Sequence, residues 1–573
     1  MKRKKDLIIY IFIIIIIVLI SSYLILQNKN KKETVNSTSD IDTTVDIDND
    51  YESISWDNYQ NSDITLTNSM TITSGGIYTL TGTISDGMIT IDTKDYVKLI
   101  LNNVSITNSN GPAIYVKNAK AVLIYLNEGT VNYLEDASTY SSDYTDIDAT
   151  LYSKDDLIFD GTGTLSVKSN YKDAITSKDD LKIINGTYII NSEDDGIKGK
   201  DSVYIVDGKF SITSKGDGIK STNETNTSKG YILIENGDFN INATLDGIQA
   251  ETKLLIKNGS YNIITGNGST NNSKKDTWGN WGSKTNTDSK SAKGLKAGLS
   301  IVIEDGNFTL NTSDDSIHSN SYIGIKGGEY QISSGDDGIH ADTSIIIDDG
   351  LINITESYEG IESAKITINN GTIKIVSSDD GINVAGGSDS SSMNRPGANN
   401  YTNNTDNILT INDGNIYVNA SGDGIDINGS GYIYGGTIIV DGPTSNGDGA
   451  LDYDNELIVS GGTLIAAGSS GMTQSISSSS TRYGVLINFN NTYNALTEVA
   501  ILDKDGNTVI SYAPNKSYSS IVFSTDKFVK SETYTIKVDG TTYTNFTISS
   551  TSTTVGNSMM NGNGGASNGG GRR

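Results

Sequence analysis

Pairs of adjacent aspartates followed by Gly-Ile or Ser-Ile recur along the chain, as in SSGDDGIHAD at residues 333–342. Ionised carboxylates that lie close together repel one another, so a fold that gathers them needs a counter-charge. Calcium suits such a site because it binds about six to eight oxygen ligands. We therefore predict bound Ca²⁺ and assign its ligands to the paired acids and to single acids in the same motif: Asp194, Asp195, Asp217, Asp246, Asp314, Asp315, Asp336, Asp337, Asp379, Asp380 and Asp423.

An alternative interpretation is that these aspartates serve only the turns. Asp before Gly is common in turns, because the carboxylate accepts a backbone hydrogen bond and glycine adopts positive φ. Turn chemistry does not explain why the acid is doubled. The metal prediction therefore stands beside the turn interpretation.

The acidic motif belongs to a repeat. We call the residue before each Gly-Ile or equivalent pair the marker, and most neighbouring markers are 21 or 22 residues apart. A second series of turn dipeptides, from Asn185-Gly186 to Gly461-Gly462, runs in step with the markers. A fixed period of this length predicts a solenoid of stacked coils. The markers are Asp173, Asp195, Asp217, Asp246, Lys293, Asp315, Asp337, Glu359, Asp380, Asp423 and Asp448.

Each coil contains short segments in which apolar residues alternate with polar ones, and no helical pattern. In one coil Ile197, then Val203 and Ile205, then Phe210 and Ile212 are placed to face one interior. Three short strands per coil predict an all-β protein built on a right-handed parallel β-helix with ~22-residue coils. Adjacent strands lie about 4.8 Å apart, so an ion midway between stacked carboxylates is about 2.4 Å from each oxygen.

The position three residues after the marker is polar in the coils from Asp173 to Asp423, and we expect it to face solvent beside the acids. It includes the two histidines of the chain, His318 and His340, which are 22 residues apart and should stack. Trp278 and Trp281 lie in a polar insertion, where exposed indoles suit the apolar face of a sugar ring. We assign these four residues to carbohydrate contact. The alternatives are a solvated face for the histidines and anchoring of the insertion for the tryptophans.

The amino-terminal residues predict the location of the protein. Residues 7–26 carry no charge, follow a basic tip and are long enough to span a bilayer. The preceding basic residues favour a cytoplasmic amino terminus, which places the body of the protein outside the cell. We predict a single-pass membrane anchor; the alternative is a cleaved signal peptide and a secreted protein.

Composition excludes several functions. The chain has 69 acidic and 42 basic residues, a formal net charge of −27 and no cysteine. Such a charge argues against nucleic acid as a partner, and the lack of cysteine excludes disulfides and thiolate metal sites.

These patterns predict a division into regions. They are a cytoplasmic tip at 1–6, a membrane anchor or signal at 7–26, a flexible stalk at 27–55, a β-helix at 56–483 with insertions at 266–290 and 386–406, a small antiparallel β-domain at 484–549, and a disordered Gly/Asn/Ser tail at 550–573.

The GDGI and DDGI repeats, the segment NGDGALDYDNELIVSGGTLIAAGSSGM and the later PNKSYSSIVFS together resemble a family of extracellular, calcium-containing, parallel β-helical carbohydrate-binding proteins related in fold to pectate lyases. The resemblance covers roughly residues 55 to 548. It implies binding of cellulose-like and acidic, pectin-like polysaccharides, with calcium held by aspartates on the coils. The chain departs from this pattern at Lys293 and Glu359, which replace the marker aspartate.

Two further functions remain alternatives to non-catalytic polysaccharide binding at the cell surface. A pectate-type lyase needs a base and a cation, and Lys198 and Lys220, three residues after marker acids, are the candidate bases. A structural surface adhesin is the other alternative. We expect binding without catalysis.

Overall fold

The structure, a computed structural model, describes residues 41–47, 54–271, 291–385 and 406–556. These residues are nearly all strands and connecting turns, so the all-β prediction is confirmed. The helical residues described are three short 3₁₀ turns at Trp56–Asn58, Ser142–Tyr144 and Ser269–Asn271. None of the described helices is long and apolar enough to cross a membrane, and the predicted anchor at 7–26 lies outside the described residues.

Each coil of the solenoid contributes one strand to each of three parallel sheets, here numbered in chain order. In one coil these strands are Ile197–Gly199, Ser202–Ile205 and Lys209–Ser214. Each pairs in parallel with its equivalent in the next coil, with Ile197 opposite Ile219, Val203 opposite Ile232 and Phe210 opposite Phe239. The period in the sequence therefore becomes the stacking repeat, and the apolar residues expected inside are buried.

Sheet 1 follows the markers and has 15 strands. They are Met70–Ile72, Ile89–Asp92, Ile114–Asn118, Ala149–Ser153, Asp173–Ser177, Ile197–Gly199, Ile219–Ser221, Ile248–Ala250, Leu295–Ala297, Ile317–Ser319, Ile339–Ala341, Ile361–Ser363, Ile382–Val384, Ile425–Ile427 and Leu451–Tyr453.

Sheet 2 follows sheet 1 in each coil. After the long first strands it contains Ala121–Leu126, Asp156–Gly161, Asp180–Ile183, Ser202–Ile205, Tyr231–Ile234, Lys253–Ile256, Ser300–Ile303, Tyr322–Ile325, Ser344–Ile347, Lys365–Ile368, Ile408–Ile411, Ser430–Ile433 and Glu456–Val459.

Sheet 3 ends at the corner that carries the markers. It contains Val131–Glu135, Thr164–Lys168, Thr187–Ser192, Lys209–Ser214, Asp238–Ala243, Ser260–Thr265, Asn307–Thr312, Glu329–Ser334, Leu351–Glu356, Thr372–Ser377, Asn415–Ala420, Thr437–Asp441 and Thr463–Gly468.

The solenoid begins with Asn61–Leu66 and with two longer strands, Gly76–Ile84 and Tyr96–Thr107. Tyr96–Thr107 pairs with both Ala121–Leu126 and Val131–Glu135, so one strand continues from sheet 2 into sheet 3. Sheets 2 and 3 are thereby joined in one hydrogen-bonded network.

The carboxyl-terminal strands cover the last coil. Tyr518–Thr525 pairs antiparallel with Thr463–Gly468 and with Tyr483–Tyr493, and the latter pairs in parallel with Ser552–Val555. A separate antiparallel sheet contains Val499–Leu502, Thr508–Tyr512, Thr533–Val538 and Thr541–Thr547. An open parallel edge invites pairing with other chains, and these strands occupy that edge.

Residues 41–47, which belong to the predicted stalk, lie against the outer face of sheet 2. Ile41 is buried with Leu233, Leu255 and Val302. The Lys253 ammonium donates to the Asp42 carboxylate and to the Thr44 carbonyl, at 2.7 Å each. This packing was not expected of a flexible segment, and it arises because the outward positions of sheet 2 are apolar here.

Six aromatic side chains stack inside the solenoid beneath the turns between sheets 2 and 3. Successive ring centroids are 4.6 to 5.1 Å apart and the rings are within 8° of parallel. This separation matches the distance of about 4.7–4.9 Å between neighbouring strands, so the stack is continuous from coil to coil. The residues are Tyr188, Phe210, Phe239, Tyr261, Phe308 and Tyr330.

The aromatic stack yields a stability prediction. Phe239→Ala should lower the unfolding free energy by about 3–5 kcal/mol, because it removes a buried ring and leaves a cavity. Leu351→Ala is the control, since this leucine is in sheet 3 but 48% exposed, and its loss should cost well under about 1 kcal/mol. Urea unfolding of both variants measures the difference, and equal losses would contradict the stack's role.

Candidate metal-binding column

The marker aspartates link one coil to the next. One carboxylate oxygen, Oδ1, of each accepts a hydrogen bond from the backbone N–H of the marker in the following coil. Asp195, Asp217 and Asp246 donate in this way to the preceding marker at 3.1, 2.9 and 2.8 Å. The same bond joins Asp337 to Asp315 at 3.0 Å and Asp423 to Asp380 at 2.7 Å.

This bond reconciles the two interpretations of the sequence. Oδ1 accepts a backbone hydrogen bond, as the turn interpretation requires. The second oxygen, Oδ2, is left to carry the negative charge. Because most coils repeat the bond, the carboxylates are brought together on one edge of the solenoid between sheets 3 and 1. In the coil after Lys293, which has no carboxylate, the N–H of Asp315 donates to Asp314 Oδ1 instead. We call the markers and the residues three positions after them the marker column.

The hydrogen-bond register shows that the predicted last marker, Asp448, is wrong by one residue. The N–H of Gly449, not of Asp448, donates to Asp423 Oδ1, and the Gly449 carbonyl accepts the N–H of Gly424. Asp448 therefore precedes the marker position by one residue. The Gly-Ala-Leu sequence in this coil made the assignment ambiguous.

Lysine ammonium groups neutralise the first part of the column, which we call the lysine stretch. Lys198 forms ion pairs with Asp173 and Asp195, and Lys220 lies 2.6 Å from Asp217. Lys296 lies 2.9 Å from Asp246. Lys293, which replaces a marker, extends to Asp315 at 2.5 Å and to Asp314 at 3.0 Å.

The ion pairs determine the protonation of this stretch. Burial raises the pKa of Asp173 to about 7 although Lys198 opposes the shift. Burial also raises the pKa of Asp315, but the Lys293 ammonium and hydrogen bonds from the histidines hold it well below its usual range. Burial lowers the pKa of Lys198 and Lys220, but the neighbouring aspartates raise it by more. Both lysines therefore stay protonated.

The two histidines form the middle of the column, which we call the histidine stretch. His318 Nδ1 lies 2.8 Å from Asp315 Oδ2, and His340 Nδ1 lies 3.5 Å from Asp337 Oδ2. Their rings are 5.0 Å apart and nearly perpendicular, at 84°. They are neighbours, as the spacing predicts, but edge to face.

The histidines are not arranged as the sequence suggests for sugar contact. His318 and His340 are only 4% and 2% exposed, which leaves little ring surface for a sugar. The other predicted contacts, Trp278 and Trp281, lie outside the described residues. Several residues three positions after a marker pack on the marker carboxylate instead of facing solvent, as Thr176 does on Asp173 at 3.1 Å and His318 on Asp315 at 2.8 Å.

The last part of the column contains acids without lysine or arginine, and we call it the acid stretch. Within the described ranges, no ion pair with lysine or arginine is found for its members. They are Glu359, Glu362, Asp379, Asp380, Asp423, Asp426 and Asp452.

For Glu359, Glu362, Asp380 and Asp426, burial is the largest cause of a raised carboxyl pKa and a neighbouring carboxylate is the second. The pKa of Asp380 rises to about 8, with Asp379 adding to burial. That of Asp426 rises to about 7, with Asp423 adding to burial. The pKa of Glu359 lies well above its usual range and that of Glu362 rises to about 12. These acids lack the counter-charge that the lysine stretch has.

One feature of the acid stretch fits a hard cation. It is not the packing of Gly422 against Asp379 Oδ1 and Asp380 Oδ1, because Gly216 packs in the same way in the lysine stretch. The Asn383 side chain is buried and donates through Nδ2 to Glu359 at 2.7 Å, while its Oδ1 is buried without a hydrogen-bond partner. Carboxylate and amide oxygens are the donors that calcium uses.

The paired acids lie beside the column rather than apart from it. Carboxylate oxygens of Asp194 lie within 4.8 Å of those of Asp173 and Asp195, and the same holds for Asp314, Asp315 and Asp336. Sequence reasoning missed Glu362, Asn383 and Asp426 as members of the site. The sequence did contain a signal for them, namely the change from lysine to acid at the position three residues after the marker.

Comparison with known proteins assigns this all-β solenoid to a protein family. A family model described as "Carbohydrate-binding domain-containing protein" matches residues 67–338 and 335–381, more than half of the chain. The chain belongs to this family.

A curated relative and a solved structure are also similar. A carbohydrate-binding domain-containing protein of Acetivibrio thermocellus is 36% identical over 161 residues, which is 27% of this chain and 55% of that protein. The match thus spans about half the length of that relative. The structure of a polysaccharide lyase-like protein from C. thermocellum, a gadolinium derivative, is 34% identical and covers 36% of this chain and 92% of that one, with a TM-score of 0.35.

The lysine stretch yields a prediction. Lys198→Met should lower the unfolding free energy by about 3–5 kcal/mol, because it leaves two buried carboxylates without an ammonium group. Lys209→Met is the control, since Lys209 and its partner Asp238 are largely exposed and 4.0 Å apart, and its effect should be below about 1 kcal/mol. Chemical denaturation measures both, and a Lys198→Met effect no larger than the control would contradict this role.

The acid stretch yields a prediction of pH dependence. The pKa values of Asp423, Asp426 and Asp380 are raised to about 6, 7 and 8, so the folded state binds protons more tightly than the unfolded state. The resulting stability is present at low pH and is lost as pH rises through these values. In chelator, the unfolding midpoint should therefore rise as pH falls from about 8.5 to about 5. Asp380→Asn should flatten the upper part of this curve, and a midpoint that falls over this range would refute the assignment.

Proposed function

We propose that the protein is a cell-surface, calcium-dependent, non-catalytic binder of acidic, pectin-like polysaccharide, built on a right-handed parallel β-helix. Membership of the carbohydrate-binding domain family supports the polysaccharide ligand. The observation that carries the calcium dependence is the acid stretch, where buried carboxylates lack lysine partners and adjoin the buried Asn383 oxygen.

The proposal restricts calcium to part of the predicted ligand set. Asp194, Asp195, Asp217, Asp246, Asp314 and Asp315 lie in coils where lysine already supplies positive charge. Asp379, Asp380 and Asp423, with Asp426 and Asn383, are the residues that would hold the ion. Bound calcium supplies positive charge that removes the mutual repulsion of these carboxylates.

The same charge accounts for affinity toward an acidic glycan. A protein with a net charge of −27 repels uronate chains unless a cation reverses the local potential. Calcium accepts about six to eight oxygen ligands, more than one coil supplies, so carboxylates from the glycan are suitable additional donors. An anchor at residues 7–26 would hold the solenoid at the outer face of the membrane.

The observations favour binding over the lyase alternative. A general base must be unprotonated at working pH. Lys198 and Lys220, the candidate bases, form ion pairs with buried aspartates, and those aspartates raise the pKa of both lysines against the effect of burial. Neither lysine is suited to remove a proton from a substrate.

The test measures both ligands with the full-length protein. Calorimetry should detect Ca²⁺ binding, and migration through a gel containing polygalacturonate should slow in Ca²⁺ but not in chelator. Asp380→Asn combined with Asp423→Asn should weaken Ca²⁺ binding about tenfold or more and abolish the retardation. The substitutions keep Oδ1 as an acceptor, so the bond between coils is retained.

Asp413→Asn is the matched control. Its Oδ1 accepts the N–H of Gly414 at a turn on another edge of the solenoid, so calcium and glycan binding should be unchanged. Retardation that persists in chelator would refute the calcium dependence. Appearance of the ultraviolet absorbance of an unsaturated product would identify a lyase instead.

A further inference from the structure

His340 lies among carboxylates from three coils. Its Nδ1 is 3.5 Å from Asp337 Oδ2, 3.9 Å from Glu362 Oε2 and 3.8 Å from Asp315 Oδ2. The side chain is 97% buried, at 3% exposure, and Asp337 is 7% exposed. We call His340, Asp337 and Glu362 the His340 cluster. It lies where the histidine stretch meets the acid stretch.

The three donor atoms of the cluster are spaced as metal ligands are. All three lie within 4.8 Å of one another. In a tetrahedral zinc site the bonds of about 2.0–2.2 Å place neighbouring donors about 3.3–3.6 Å apart. The nitrogen–oxygen distance of 3.5 Å matches such an edge, and that of 3.9 Å is slightly longer.

Asp315 Oδ2 also lies 3.8 Å from His340 Nδ1, but its shorter contacts are with other residues. Its Oδ2 binds the Lys293 ammonium at 2.5 Å and His318 Nδ1 at 2.8 Å. Its Oδ1 accepts the N–H of Asp337. Asp315 therefore anchors the neighbouring histidine and lysine, whereas Asp337 and Glu362 face His340.

The orientation of His340 is compatible with metal binding through Nδ1. Its second ring nitrogen, Nε2, faces Asp342 Oδ1 at 3.8 Å, which is longer than a hydrogen bond. Histidines that bind metal through one nitrogen commonly direct the other toward a carboxylate, which fixes the ring. Asp337 Oδ1 is likewise held by the N–H of Glu359 at 3.1 Å, which leaves Oδ2 directed at the ring.

We propose that the His340 cluster binds a first-row divalent transition metal such as Zn²⁺ or Co²⁺, at a site distinct from the proposed calcium site. Imidazole with two carboxylates suits these ions, whereas calcium takes oxygen donors. Glu362 is 22% exposed and provides the route to solvent, so water completes the coordination. The metal supplies positive charge where the column passes from histidine to uncompensated acid.

Cobalt is the probe for this site, because its visible absorption reports coordination. Full-length protein stripped by a chelator should bind Co²⁺ near one equivalent with the intense bands of a four-coordinate site. Zn²⁺ should displace it and Ca²⁺ should not. A crystal soaked in Co²⁺ should show an anomalous peak at His340 Nδ1. Absence of a saturable spectrum, or displacement by Ca²⁺ at similar concentrations, would overturn the proposal.

Two histidine variants complete the test. His340→Gln should weaken Co²⁺ binding by at least about tenfold, since even partners beyond the ligands change affinity by this much. His318→Gln is the matched control and should retain the spectrum, because that ring binds Asp315. Circular dichroism establishes that both variants fold. An unchanged spectrum in His340→Gln, or its loss in both folded variants, would overturn the assignment.

This result is separable from the test of the proposed function. Calcium-dependent retardation by polygalacturonate should persist in His340→Gln, because the calcium ligands lie in later coils. Loss of both metals in this variant would mean one shared site and would refute two distinct ones.

Discussion

The hydrogen bond from the backbone of one marker to the carboxylate of the preceding one is the constraint on which the rest of the column depends. It requires an acceptor close to the main chain, and aspartate provides one in most coils. The same choice places carboxylates of successive coils about 4.8 Å apart, with an interruption at Lys293. At that distance, and with an effective dielectric near 20, each neighbouring pair costs on the order of 3 kcal/mol. The interaction that aligns the coils thus creates the electrostatic problem that the chain must solve.

The chain solves this problem differently along its length. Lys198, Lys220 and Lys296 extend from sheet 1 onto the acids of the lysine stretch, and Lys293 takes the place of an acid altogether. Imidazoles replace the ammonium groups in the next coils. In the acid stretch the third position becomes glutamate, asparagine and aspartate, and the carboxyl pKa values rise. A solenoid permits this change because each coil contacts mainly its neighbours.

Much of the fold was predictable because a period along the chain becomes a direction in space. Val203, Ile205, Phe210 and Ile212 alternate in the sequence and are buried as expected. The packing of Ile41 against sheet 2 was not predictable, because it depends on outward-facing apolar residues from several coils. The shift of the last marker to Gly449 also required the hydrogen-bond register.

The site was predictable in composition but not in its charge balance. The spacing placed the aspartates in one column, yet it did not reveal that Lys198 turns back onto Asp195 three residues earlier. The same local geometry brings His318 onto Asp315. These contacts need the direction of a side chain, which a repeat period does not contain. A series of polar residues that face solvent and a series of lysines that pair with buried acids give the same polar pattern in the sequence.

The change in counter-charge indicates a role for the acids of the final coils. A lysine at the third position would stabilise those coils, as it does in earlier ones, and the chain uses that residue freely elsewhere in the column. The coils that carry Glu362, Asn383 and Asp426 therefore lack an ion pair that a lysine at this position would provide. Buried, uncompensated charge is costly to a fold and is concentrated at functional sites. A partner that supplies positive charge from outside the chain would recover the lost stability and would couple ligand binding to the rigidity of the solenoid.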